Sequence, residues 1–181
     1  MENKRSQWKV AMSYGTMFGL ASAIVFFIFY FAGADIQSKW PQYIGYGMLI
    51  LFLVLGIKSF RDQDLDGYIS YGKSLGTGVL VGLFGGIITG IFTVLMFTVI
   101  DPGMANKLIE ATQQKLIDQG LPESQIEMSI SYARKFMSPP ILFVFSIVGQ
   151  VLMAFIFSLI ISVFLKKEQN PFDSRSLDSQ Q

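Results

Sequence analysis

The sequence has no cysteine and no histidine, and these two absences remove much of the chemistry open to a protein. Without cysteine there are no disulfides, no thiolate nucleophiles and no iron–sulfur ligands, and the redox compartment leaves no mark. Without histidine the commonest general base, the commonest transition-metal ligand and the usual haem ligand are missing. Charge is sparse: Asp, Glu, Lys and Arg make up 15% of 181 residues, and 14 basic against 13 acidic side chains leave a net charge of +1. No field of one sign points to nucleic acid, so none is expected as a partner. No paired carboxylate lies inside an apolar run. The protein is therefore expected not to be an enzyme, with no catalytic residue and no cofactor.

What is present is apolar. Hydrophobic residues account for 51% of the chain, with 17 Phe and a mean hydropathy of +0.47. The charges fall outside four apolar runs, at about 10–31, 41–57, 75–100 and 141–165. That is the layout of an all-α, polytopic membrane protein with four transmembrane helices, whose first partner is the lipid bilayer. The third run, Leu75–Ile100, is the centrepiece. Its 26 residues contain no ionisable side chain and reach ~39 Å as a helix. Gly78, Gly82, Gly86 and Gly90 recur every fourth residue, making a groove that another helix backbone can enter. Ala11, Gly15, Gly19 and Ala23 form a second small-residue stripe. The expectation is that the groove packs against Gly15–Ala23 of the first span or against a second copy of the chain.

The first run, Val10–Phe31, is longer than the ~7–15 residues of a signal-peptide core. Ala32-Gly33-Ala34 imitates a cleavage site, yet the length favours an uncleaved first helix. Pro41 suits the opening turn of the second span, where Trp40, Tyr43 and Tyr46 cluster as an interfacial belt. Ser13-Tyr14-Gly15-x-x-x-Gly19 and Ser70-Tyr71-Gly72-x-x-x-Gly76 match in pattern, which suggests two hairpins related as a parallel repeat. Asp101-Pro102 reads as an N-cap and first-turn proline, opening an amphipathic helical pair at 102–137. One helix of the pair carries Ala105, Leu108, Ile109, Thr112 and Leu116 on one face. The other carries Ile126, Ile130, Ala133 and Met137. The pair is too polar to span and is expected to rest on the membrane surface or cap the bundle.

Residues 1–168 thus form one membrane domain, followed by a polar tail, 169–181, expected to be disordered. Four spans place the N-terminus, the second loop and the tail on one side. Nine Lys and Arg lie there and five on the other, which puts both termini in the cytoplasm and the helical pair outside.

Two further constellations could carry chemistry. Asp62, Asp64 and Asp66, with Gly67 and Ile69, match positions 1, 3, 5, 6 and 8 of an EF-hand calcium loop. Position 12 is Lys73 rather than a bidentate Glu, so the preferred reading is an acidic turn bent at Asp66-Gly67, with no metal. Among mild polar residues at membrane depth, Thr89, Thr93 and Gln150 stand out. Gln150 could bond across to either threonine or line a narrow polar path. Packing between helices is the preferred role, because pumps and proton-coupled carriers usually keep an ionisable group there.

The chain resembles a bacterial four-pass inner-membrane family catalogued only as a domain of unknown function. The resemblance rests on Ser13-Tyr14-Gly15-x-x-x-Gly19, Gly67-Tyr68-Ile69-Ser70-Tyr71-Gly72-Lys73, Ile100-Asp101-Pro102, the polar pair before Pro139-Pro140, and Lys166-Lys167. It covers about residues 8–168 and implies architecture and an inner-membrane location, with no activity attached. The functional expectation is a non-catalytic structural or interaction protein, as a homo-oligomer or beside a membrane-protein partner. The alternative is a small transporter or channel component.

Overall fold

A computed structural model describes residues 5–33 and 39–167, and the regular structure among them is helical. Helix α1 (Gln7–Phe31) starts where the Ser6 side chain accepts from the Lys9 backbone N–H, an N-cap that replaces a missing intrahelical partner. Helix α2 (Trp40–Ser59) opens with Pro41 in its first turn and runs into a π-helical turn, Phe60–Asp64. Ser70 caps α3 (Tyr71–Leu95) through the Lys73 N–H, and α3 also ends in a π-helical turn, Met96–Ile100. Two amphipathic helices follow, α4 (Met104–Asp118) and α5 (Glu123–Phe136), broken by Gly120 at φ +72°. Helix α6 (Pro139–Leu165) begins with two prolines, whose absent N–H groups cost nothing in a first turn.

Four of these are long and apolar enough to cross a membrane: Gln7–Phe31, Trp40–Asp64, Tyr71–Ile100 and Pro139–Leu165. The first three extend past their apolar runs at the end where α1 begins and α6 finishes, called proximal below. Hydropathy marks what sits in hydrocarbon, whereas caps decide where a helix stops. One expectation fails on that ground. Asp101 does not cap α4, which starts three residues later with Gly103 at its N-cap position. The two serine-tyrosine-glycine segments do not occupy equivalent places either. Ser70 caps α3 while Ser13 lies inside α1, and Gly15 is tightly packed while nothing approaches Gly72 within 4 Å. The tail at 169–181 lies outside the described residues.

Helix α3 is the axis. It packs extensively against α6 and α1, and α2 closes the bundle across α1, α3 and α6. One buried cluster joins Ala11, Phe18, Leu49, Leu53, Val81 and Ala154 from all four helices. A second, at the proximal end, gathers Val10, Ile57, Phe60 and Ile69. The outer face of α6 stays bare, with Phe145, Val148, Leu152, Ile160 and Phe164 all exposed. Such a face is costly in water and costs nothing in lipid. Helices α4 and α5 pair at the opposite, distal end, where Phe136 meets Phe145 edge-on at 5.4 Å.

Polar locks close both ends. Proximally, Asp64 accepts from the Arg5 backbone N–H at 2.6 Å and from Arg5 Nη2 at 3.1 Å. The Asp64 side chain is only 3% exposed. Arg5 Nη2 also donates to Ser59 Oγ at 3.0 Å, so one arm residue ties the start of α1 to the end of α2. Ile69 and Lys167 exchange backbone hydrogen bonds at 2.9 and 3.0 Å, and Arg61 Nη1 donates to the Leu165 carbonyl at 3.2 Å. The end of α6 is thereby fixed to the segment after α2.

Distally, Tyr30 OH donates to Asp101 Oδ2 at 3.0 Å and Lys107 Nζ donates to the same oxygen at 2.7 Å. Hydrogen bonding from Lys107 holds the Asp101 carboxyl below the usual carboxylate range, and the same bond raises Lys107 above the usual amine value.

Asp64→Ala should lower stability by about 1–3 kcal/mol, since it strips a charged group of several hydrogen bonds; an unchanged thermal transition in detergent would contradict the lock. The distal latch gives a pH dependence. A depressed Asp101 contributes stability above its unfolded value near ~4 and loses it as pH falls through the folded value. A raised Lys107 contributes below ~10 and loses it as pH rises through its own folded value. Amide protection across α4, corrected for the pH dependence of intrinsic exchange, should therefore be high between those limits and fall below ~4. Lys107→Gln should move that acid loss to higher pH; the same acid midpoint in both proteins would count against the latch.

Candidate functional site

The glycine row of α3 faces α6 in antiparallel register. A Cβ placed on Gly78 would lie 2.8 Å from the Ser158 Cβ, and one on Gly82 would overlap the Ala154 Cβ. On Gly86 it would meet the Ile147 Cα at 3.0 Å and the Gln150 Cβ at 3.1 Å, and on Gly90 a Phe143 ring carbon at 2.9 Å. These distances are below ordinary contact, so only glycine fits. The partner stripe on α6 is Ser146, Gln150, Ala154, Ser158 and Ser162, again at spacing four. This corrects the expected partner. The groove takes the fourth span, not the first.

The first span uses another face of the same helix. A Cβ on Gly15 would lie 2.7 Å from both the Phe84 Cβ and the Val81 carbonyl oxygen, and one on Gly19 would lie 2.6 Å from the Ile88 Cβ. Gly85 reciprocates, with a Phe18 ring carbon 2.6 Å from its Cβ position. Glycines on both helices bring α1 and α3 together, and α3 is thin on two faces at once.

The polar residues at depth do not assemble as expected. Thr89 Oγ1 donates to the Gly85 and Gly86 carbonyls at 3.0 and 3.2 Å, and Thr93 Oγ1 donates to the Thr89 carbonyl at 2.8 Å. Both donate along their own helix rather than to Gln150, which lies on the α6 side of the seam beside Gly86. Ser74, Ser158 and Ser162 are fully buried with hydroxyls that find no partner; small size, not hydrogen bonding, is their contribution to the seam.

The three aspartates do not form a calcium loop. Asp62 and Asp64 belong to the π-helical turn, where Asp62 pairs with Arg61 at 2.6 Å and Asp64 with Arg5. Asp66 and Gly67 supply the bend at φ +54° and +84°. Among the described residues no group of three or more His, Cys, Asp or Glu could hold a metal ion.

Sequence reasoning passed over one spacing here. Gly67-x-x-x-x-Gly72-Lys73-Ser74 has the pattern of a phosphate-binding loop. Such a loop works by pointing free N–H groups at phosphate, and here most are committed. The N–H groups of Gly67, Tyr68, Ile69 and Ser74 donate to the carbonyls of Arg61, Leu65, Lys167 and Ser70, and that of Lys73 to Ser70 Oγ. Ser74 is wholly buried. The spacing serves a helix start.

At the distal end a cleft of about 410 Å³ lies between α1 and the last turns of α3, under α4. Ser22 and Phe27 form one wall, Thr89, Thr93 and Phe97 another, and Met104 and Leu108 the cover. The Tyr30–Asp101–Lys107 latch sits beside it. No periodicity in the sequence brings these residues together.

Four apolar helices of spanning length, a bare apolar outer face and polar locks confined to the two ends define a multi-pass α-helical membrane protein. The chain belongs to the family described as a protein of unknown function, DUF4199, which matches residues 13–167. No curated protein and no solved structure matches it.

The seam gives a paired test. Gly82→Leu should lower stability by about 3 kcal/mol or more through overpacking against Ala154. Gly149→Leu, where nothing lies within 4 Å, should be neutral or slightly stabilising, because only helix propensity changes. Equal thermal shifts for the two variants would mean that the seam is not closely packed.

Proposed function

We propose that the protein resides in the bacterial inner membrane, with both termini in the cytoplasm and the α4–α5 hairpin outside, as a non-catalytic interaction protein. Orientation draws on charge. The proximal end carries Arg5, Lys9, Lys58, Arg61, Lys73, Lys166 and Lys167, and the distal end Lys39, Lys107, Lys115, Arg134 and Lys135. Positive charge is retained on the cytoplasmic side of membrane proteins. Two spanning-helix faces are already filled by the glycine contacts of α3, which suits a rigid bundle that holds something in place.

The observation that carries the interaction role is the outward side of α5. Met128 and Tyr132, spaced by four, are 60% and 55% exposed, while Ile126 turns inward and is buried. Arg134 and Lys135 flank that apolar stripe. Aromatic, methionine and arginine side chains at the centre of a patch are the composition of a binding surface. The transporter reading rests instead on the cleft beneath α4; solute flux in reconstituted vesicles would favour it.

Crosslinking in native membranes, followed by capture through a tag placed after Lys167, tests the interaction role. The expected result is one abundant partner, or a second copy, joined through residues 123–136 and lost on Met128→Ser with Tyr132→Ser. Crosslinks to lipid alone would contradict it.

A further inference from the structure

The cleft beneath α4 has a chemistry of its own. Its volume of about 410 Å³ falls in the ~300–1,000 Å³ range of small-ligand pockets. Its wall is mostly ring and thioether: Phe26, Phe27, Phe92, Phe97, Met96 and Met104. Rings offer flat apolar area and methionine adapts to an irregular chain. Among the described residues no ionisable side chain lines it, so a charged group would find no counter-ion among them.

Thr89 and Thr93, on the α3 wall, have committed their protons to carbonyls of their own helix, so toward the cleft each offers only lone pairs. The Ser22 oxygen, on the α1 wall, is sealed off and adds no ligand contact. A ligand group that donates to a threonine oxygen and carries no charge matches this wall. A neutral hydroxyl does so. A carboxylate cannot donate, and an ammonium would lie there without a counter-ion among the described residues.

We propose that this cleft binds an elongated apolar chain bearing a neutral hydroxyl, such as a long-chain or prenyl alcohol. The cleft lies between two spans, so its surroundings are lipid, the phase in which such molecules are dissolved. The site uses the membrane placement of the spans and not the interaction role of α5, and loss of partner capture would leave it untouched.

The test uses the full chain in phosphatidylcholine nanodiscs, photolabelled with a diazirine-bearing hexadecanol and mapped by peptide mass spectrometry. Saturable adducts are expected on residues 22–27, 89–97 and 104–108. Unlabelled hexadecanol should compete at least about tenfold better than hexadecane or ionised palmitate. Thr93→Val, which keeps shape and removes the acceptor, should weaken that competition by about threefold to tenfold, the size of one hydrogen bond. Ala23→Phe, which fills the cleft, should abolish the adducts. Non-saturable labelling spread over the bare face of α6, equal competition by palmitate, or labelling unchanged by Thr93→Val would each overturn the proposal.

Discussion

Helices in lipid gain nothing from hiding apolar side chains, because the hydrocarbon around them is equally apolar. What remains is contact, and contact between backbones requires that side chains be missing. Helix α3 meets that constraint on two faces. Gly78, Gly82, Gly86 and Gly90 admit α6, while Gly85 receives Phe18 as Gly15 and Gly19 let α1 come close. Each atom pair contributes only ~0.1–0.2 kcal/mol, but the contacts run along most of both helices. Position of every other element depends on this. With α3 thin, α2 can reach across to α1, α3 and α6 together.

The seams leave the two ends to be fixed by polar chemistry, and the ends differ. Proximally, charge and backbone bonds interlock: Arg5 with Asp64, Arg61 with the Leu165 carbonyl, Ile69 with Lys167. Three chain segments are held there, above the apolar cluster of Val10, Ile57, Phe60 and Ile69. Distally, among the described residues, a carboxylate is shared by Tyr30 and Lys107. Helix α5 is tied mainly through α4. The cleft that the hairpin covers lies between α1 and the last turns of α3. A rigid axis, a locked proximal end and a latched distal end form one mechanical arrangement.

Much of this was legible in the residues. Four uninterrupted apolar runs marked the spans, and the glycine row marked a packing face. The partner of that face was not legible, because a stripe states that something comes close without saying what. The matching stripe on α6 hid among bulky neighbours, and its Ser146, Gln150, Ser158 and Ser162 looked like isolated polar residues at depth. Asp64 shows the same limit: the residues mark an acidic turn, but not that Arg5, 59 positions away in the chain, ties it down. Asp101 looked like a helix cap, since Asp before Pro often is one. Lys107 and Tyr30 share its carboxylate, and α4 itself starts only at Met104. The cleft had no local signature, since its walls come from three helices.

Because the chain has no cysteine, the seam can be probed directly with introduced pairs. Ser74 and Ser162 lie one helical turn beyond the Gly78–Ser158 contact in the antiparallel register, and both are fully buried. In membranes, Ser74→Cys with Ser162→Cys should form a disulfide within one chain under mild oxidation. The pair Ser74→Cys with Gly149→Cys should not. A bond linking two chains instead, or none from the first pair, would contradict the assignment of the glycine groove to α6.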